Sequence, residues 1–158
     1  MKKPLLFLLL ILNQGYAQWQ FKVNKNEKKI NAIGEVKFSI HTPDTIVLNL
    51  SKSRKLGLDF ALEGGYFKPT EKYYILFEIS DRKIKVLSSI REKGRLRILK
   101  FKDLINREEY NIEDFLKILK RGSECVLTIS TSSRAIQGFN KLRGSANAIN
   151  SVLRGTYP

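Results

Sequence analysis

Apolar residues at every second position govern most of this chain, and that period admits one kind of secondary structure. Side chains two apart lie on one face of an extended strand, whereas a helix would need spacings of three and four. The alternation runs through Trp19, Phe21 and Val23, then Val36, Phe38 and Ile40, then Ile46, Leu48 and Leu50. It continues through Leu56, Leu58, Phe60 and Leu62, through Tyr73, Ile75, Phe77 and Ile79, and through Ile84, Val86 and Ile90. Turn-forming stretches separate the runs: Asn24 to Lys29, Thr42-Pro43-Asp44, Ser51 to Lys55, Glu63-Gly64-Gly65, Asp81-Arg82 and Glu92-Lys93-Gly94. Leu96 to Phe101 completes a hairpin, and further strands are expected at Cys125 to Thr131 and Ile136 to Leu142.

The period turns helical twice. In the stretch from Asn111 to Gly122, Ile112, Phe115, Leu116 and Leu119 form one stripe. Asn111 is the expected N-cap, Glu113 and Asp114 suit the first turn, Lys120 and Arg121 the last, and Gly122 the stop. A second helix is expected to open at Ser145 as cap, with Ala146, Ile149, Val152 and Leu153 inward. Parallel strands need a long crossover between them, commonly a helix, and only the region from 111 to 121 supplies one. The expected fold is therefore mainly β: an antiparallel β-sandwich or flattened barrel of about eight or nine strands with two short helices.

Residues 1–17 read as a secretory signal peptide: Met1-Lys2-Lys3, an unbroken apolar run from Leu5 to Leu12, and small residues at Gly15 and Ala17. A membrane span needs about 20 apolar residues, so no transmembrane span is expected after cleavage. Residues 18–158 are then a single β-sandwich domain in the periplasm, at the cell surface or outside the cell. Loss of Lys2 and Lys3 lowers the formal charge by two, from +14 to +12. Two explanations stand. The chain is rich in Lys, Asn and Ile, so the charge is compositional, or an anionic partner selects it. An inhibitor of a basic enzyme such as lysozyme is disfavoured, since it would be expected to be acidic.

Few residues invite chemistry. Cys125 is the only cysteine, so no internal disulfide, thiol redox pair or zinc cluster can form. It shares a strand face with Leu127 and Ile129 and reads as core. His41 is the only histidine, beside a Thr-Pro turn with no evident partner. Phosphate-binding glycine loops and the GxSxG elbow are absent. Ser80-Asp81-Arg82-Lys83 matches SxxK but falls in a hairpin turn. Asp59 and Glu63 share a strand face, about 13 Å apart along it. No catalytic residue, metal ligand or cofactor is assigned.

The basic hairpin from Arg82 to Lys102 is the one binding candidate. Lys83, Lys85 and Arg91 oppose Ile84, Val86 and Ile90 and should point outward together. If Leu96 and Ile98 face in, Arg95 and Arg97 join them; if Leu99 and Phe101 face in, Lys100 and Lys102 do. Lys52, Arg54 and Lys55 would add a loop. Lys83, Lys85, Arg91, Arg95 and Arg97 are the candidate polyanion-binding residues, against the plainer reading of a solvated strand face that resists aggregation.

The end of the chain reads as a fold terminus: a turn at Thr131 to Arg134, core candidates Phe139 and Leu142, a break at Gly144, and the last helix. Trp19 near the mature start, and Gly144-Ser145-Ala146-Asn147-Ala148-Ile149 where a strand passes through glycine into a helix, resemble the small exported bacterial β-sandwich proteins of the invasion-associated locus B type. The resemblance implies a non-enzymatic, envelope-associated module, although that family commonly carries disulfides and this chain cannot form one internally. The expected function is an exported binding or structural module that contacts an anionic polymer or an envelope protein through the basic hairpin. A small secreted hydrolase acting on nucleic acid or glycan, and a periplasmic phage- or plasmid-encoded effector, stand as alternatives.

Overall fold

The computed structural model describes residues 18–38 and 45–156. The signal segment and His41 lie outside the described residues. The elements are β1 (Trp19–Asn24), β2 (Lys29–Phe38), β3 (Ile46–Ser53), β4 (Gly57–Glu63), β5 (Tyr74–Ile79), β6 (Arg82–Glu92), β7 (Arg95–Asp103), β8 (Glu109–Tyr110), α1 (Ile112–Arg121), β9 (Glu124–Ser130), β10 (Ala135–Lys141) and α2 (Ser145–Arg154).

Eight strands close an antiparallel barrel in the order β2-β3-β4-β7-β6-β5-β9-β10 and back to β2. β1 pairs with β2, and β8 with β7, outside that ring. The closure is one of the two forms that the alternation allowed. The inward face is the apolar face of each strand: Ile30 and Val36, Leu48 and Leu50, Phe60 and Leu62, Ile75 and Phe77, Leu127 and Ile129 are all at most 3% exposed. Closure removes the strand edges that an open sheet would present.

The helices cap one end. Asn111 Oδ1 accepts the Asp114 N–H at 2.9 Å, and the acidic first turn and basic last turn complement the helix dipole. Phe115 of α1 enters the barrel and stacks on Phe101 with centroids 4.0 Å apart, against Phe60 and Phe77. α2 begins differently from expectation. Gly144 is its cap residue, at φ 85°, a conformation that suits glycine. Ser145 is the first helical residue, buried, and its hydroxyl donates to the Leu119 carbonyl. It joins the two helices and does not cap α2.

Two further expectations are corrected. Phe139 is 39% exposed, while Ile136, Gly138 and Asn140 face inward. A Cβ at Gly138 would stand 2.6 Å from Val36 Cγ1, so the inward position has no room for a side chain. Asn140 is fully buried yet satisfied: its Oδ1 accepts from Trp19 Nε1 at 2.7 Å and its Nδ2 donates to the Glu35 carbonyl at 2.6 Å. The Trp19 indole packs so closely on Gly34 that a Cβ there would lie 2.4 Å from it. The second correction is that β2 starts at Lys29, ahead of Val36. Ala32 and Gly34 stand at the inward positions of its first half and blur the hydrophobic period.

Candidate binding site

The basic hairpin is built from β6 and β7, and two irregularities break its register, between Val86 and Ser88 and between Ser88 and Ser89. Leu87 on β6 and Leu99 on β7 are the extra residues. The two alternative registers of β7 are thereby both realised: Leu96 and Ile98 face in before the bulge, and Phe101 faces in after it. An extra residue also reverses which side chains face outward. Ile90, expected inside, is 41% exposed and pairs with Arg97, whereas Arg91 pairs with buried Leu96. Lys83 and Lys85 therefore share a face that Arg91 does not.

The predicted basic residues separate into three environments. Arg95 and Arg97 lie on the outer wall, where both guanidiniums contact Asp59 of β4. Arg97 Nε is 2.9 Å from Asp59 Oδ1, and Arg95 NH2 meets Asp59 Oδ2. Arg95 Nε is also 3.0 Å from Glu63, and its NH1 3.6 Å from Glu92. The Asp59 side chain is 3% exposed. Asp59 and Glu63, separated by four residues along β4, thus converge on one guanidinium that lies between them. They form an ion-pair cluster, with little positive charge left to meet a polyanion. Lys83 pairs with Glu78 at 3.3 Å. Lys52 is turned away from any loop surface: its ammonium donates to the Leu153 and Gly155 carbonyls at 3.0 and 3.2 Å, at the negative end of the α2 dipole. Arg54 and Lys55 are exposed in the turn after β3.

Lys85 and Arg91 belong to a third setting. β5 and β6 are joined by four pairs only, from Ile79↔Arg82 to Leu76↔Lys85. Beyond Lys85 the bulge carries β6 toward β7, and the two strands diverge. A cleft of about 720 Å³ opens between them. One bank holds Lys72 and residues 73–76, the other residues 85–89 and Arg91, with Thr128, Ser130 and Leu104 at the margins. Its lining contains three cations, Lys72, Lys85 and Arg91, and no carboxylate. Apolar surface is provided by Tyr74 and Leu87, 58% and 38% exposed, with Leu76 between them. The Lys72 ammonium stands 5.1 Å from the Tyr74 ring centroid, and Arg91 NH1 donates to the Glu71 carbonyl at 3.1 Å. Burial raises the pKa of the Tyr73 hydroxyl, with the Glu71 carboxylate adding to it against the Lys68 N–H, so the phenol at the rim is neutral.

Lys72, Tyr74, Leu76 and Leu87 were not expected from sequence. The signal was present in Ser88-Ser89, a polar pair where the apolar period of β6 should have continued.

Among the described residues, Cys125 and the stretch from Ser80 to Lys83 lack the geometry of a nucleophilic site. Cys125 is buried, and burial, with the neighbouring Glu124 charge, pushes its thiol up to about 12. Ser80 and Asp81 form the β5–β6 turn, with Ser80 at φ 55°, and Arg82 and Lys83 open β6, so the SxxK residues lie on a hairpin and not on a helix. Among the described residues no group of three or more His, Cys, Asp or Glu could hold a metal ion, and no helix is long and apolar enough to cross a membrane. Asp103 is 1% exposed. Burial acts to raise its pKa, but the Ile105 and Asn106 N–H groups, Arg82 and the Tyr110 hydroxyl outweigh it and hold the carboxyl below its usual range. That carboxylate organises the loop after β7. No family model matches the chain, and neither a curated protein nor a solved structure does.

Proposed function

We propose that this protein is an exported, non-catalytic binding module that takes an anionic partner at the β5–β6 cleft. The observation that carries this reading is the lining: three cations around an apolar floor, with no carboxylate among them. Unopposed cations in a concave site attract anions more strongly than scattered surface lysines, because the low-dielectric walls concentrate their field. The signal segment supports export, and the likeness to the invasion-associated locus B type belongs to the same proposal. The polyanion site shifts accordingly, from Lys83, Lys85, Arg91, Arg95 and Arg97 to Lys72, Lys85 and Arg91.

The test is binding of residues 18–158 to duplex DNA and to heparin over a salt series. The Lys72/Lys85/Arg91→Ala variant should weaken both, and for DNA should reduce the slope of log affinity against log salt by roughly 3. Lys83→Ala, which removes a cation already opposed by Glu78, should leave the slope within about 1 of the parent. Equal losses from both variants would refute the cleft as the site.

A further inference from the structure

The cleft is bounded by strand backbone as well as by side chains. From Val86 to Arg91, β6 pairs with β7 on one side. On its other side β5 has already departed, the last pair being Leu76↔Lys85. No backbone hydrogen bond joins residues 86–91 to any turn or loop among the described residues. Although the eight strands form a ring, this stretch of β6 is a short open edge, and the cleft lies along it. An open edge is a template for another strand.

We infer that the cleft binds its partner by strand addition: an extended, acidic peptide segment pairs with the free edge of β6 between Lys85 and Arg91. This rests on the anionic-partner reading and specifies the partner. Three observations select the occupant. The backbone groups of β6 that face the cleft need donors and acceptors, which an acyl chain or a sulfated sugar cannot supply in ladder register. Lys85 and Arg91 stand six residues apart, about 20 Å along a strand, so the cations lie at the two ends of a segment of about six residues. Between them, Leu87, Leu76 and Tyr74 offer apolar surface. A strand with two adjacent acidic residues at each end and apolar residues between them meets both demands. An adjacent pair offers a carboxylate to either face of the sheet and so reaches Lys85 and Arg91, which lie on different faces of β6. A second copy of this chain fits poorly, because antiparallel pairing of β6 with itself would set Lys85 and Arg91 among like charges.

The probe is an end-blocked peptide of about eight residues with two aspartates at each end and valines between, compared with the same peptide N-methylated at alternate backbone amides. N-methylation leaves charge and side chains unchanged and removes ladder donors. The parent peptide should bind residues 18–158 roughly tenfold or more tightly than its N-methylated form, and cleft-facing amides between Val86 and Arg91 should exchange with solvent at least about tenfold more slowly in its presence. Equal affinity of the two peptides overturns strand addition. So does binding of heparin that depends on Lys72, Lys85 and Arg91 when neither peptide binds; the anionic-partner reading then survives. If no anionic probe responds to the Lys72/Lys85/Arg91→Ala variant, both fall. Concentration-dependent dimers of the free protein that compete with the peptide would identify a second copy as the occupant and overturn the acidic partner.

Discussion

The two arms of the β6–β7 hairpin carry similar numbers of cations and present different fields. On β7, Arg95 and Arg97 face Asp59, Glu63 and Glu92, and their charge is matched within a few ångströms. On β6, Lys85 and Arg91 look into a cleft whose lining has no acid. The difference lies in what the neighbouring strand supplies. β7 borders β4, which brings carboxylates; the divergent half of β6 borders a gap. The positive residues on a strand describe its charge, and the strand beside it decides whether that charge acts at a distance.

Removing an acid from the matched face tests that contrast most severely. Asp59→Ala leaves two partly buried guanidiniums without their common partner and should cost about 3 kcal/mol of unfolding free energy, read from denaturant melts. A loss below about 0.5 kcal/mol would place this cluster with ordinary surface pairs and erase the distinction. A second buried carboxylate, Asp103, offers a smaller, pH-dependent effect. Its folded-state pKa is depressed, so its stabilising contribution is present above the unfolded value of about 3.9. That contribution is lost as pH falls through the lower folded value. Stability of the wild type should therefore fall more steeply below pH of about 4 than that of Asp103→Asn. Parallel curves would mean that the arginine and backbone donors give this carboxylate no advantage. Least disruptive is the cleft itself. The Lys72/Lys85/Arg91→Ala variant should stay within about 0.5 kcal/mol of the parent while losing anion binding; a larger loss would make the rim structural.

What was legible in the sequence was local. The strand period, the Asn111 cap and the charge order of α1 are properties of neighbouring residues, and each could be read without knowing the topology. What was not legible depends on strands far apart in the chain. The engagement of Arg95 and Arg97 follows from β4 lying beside β7, which no local pattern announces. The outward turn of Phe139 follows from Val36 and Phe38 filling the space at Gly138, a contact across about one hundred residues of chain. The cleft required knowing that Leu87 is an extra residue. In sequence, Leu87 reads as one more apolar residue beside Val86, and only the partner strand shows that the alternation has slipped. The capture of Lys52 by α2 belongs with these, because the helix that binds it lies at the opposite end of the chain.

The closing seam of the barrel has a consequence in time. β2 meets β10 through two pairs, Gly138↔Phe38 and Phe139↔Lys37, and the indole of Trp19 secures the junction through Asn140, 121 residues away. A ring whose last joint links its first and last strands cannot be completed piecemeal. Whenever the chain is delivered amino end first, β1 and β3 can pair with residues 29–36 of β2 at once, but Lys37 and Phe38 lack their barrel partner until β10 emerges, and closing so long a loop is deferred to a late step. During that wait the barrel is a curled sheet open along one joint; once the seam shuts, the ring is continuous and its two ends no longer move apart.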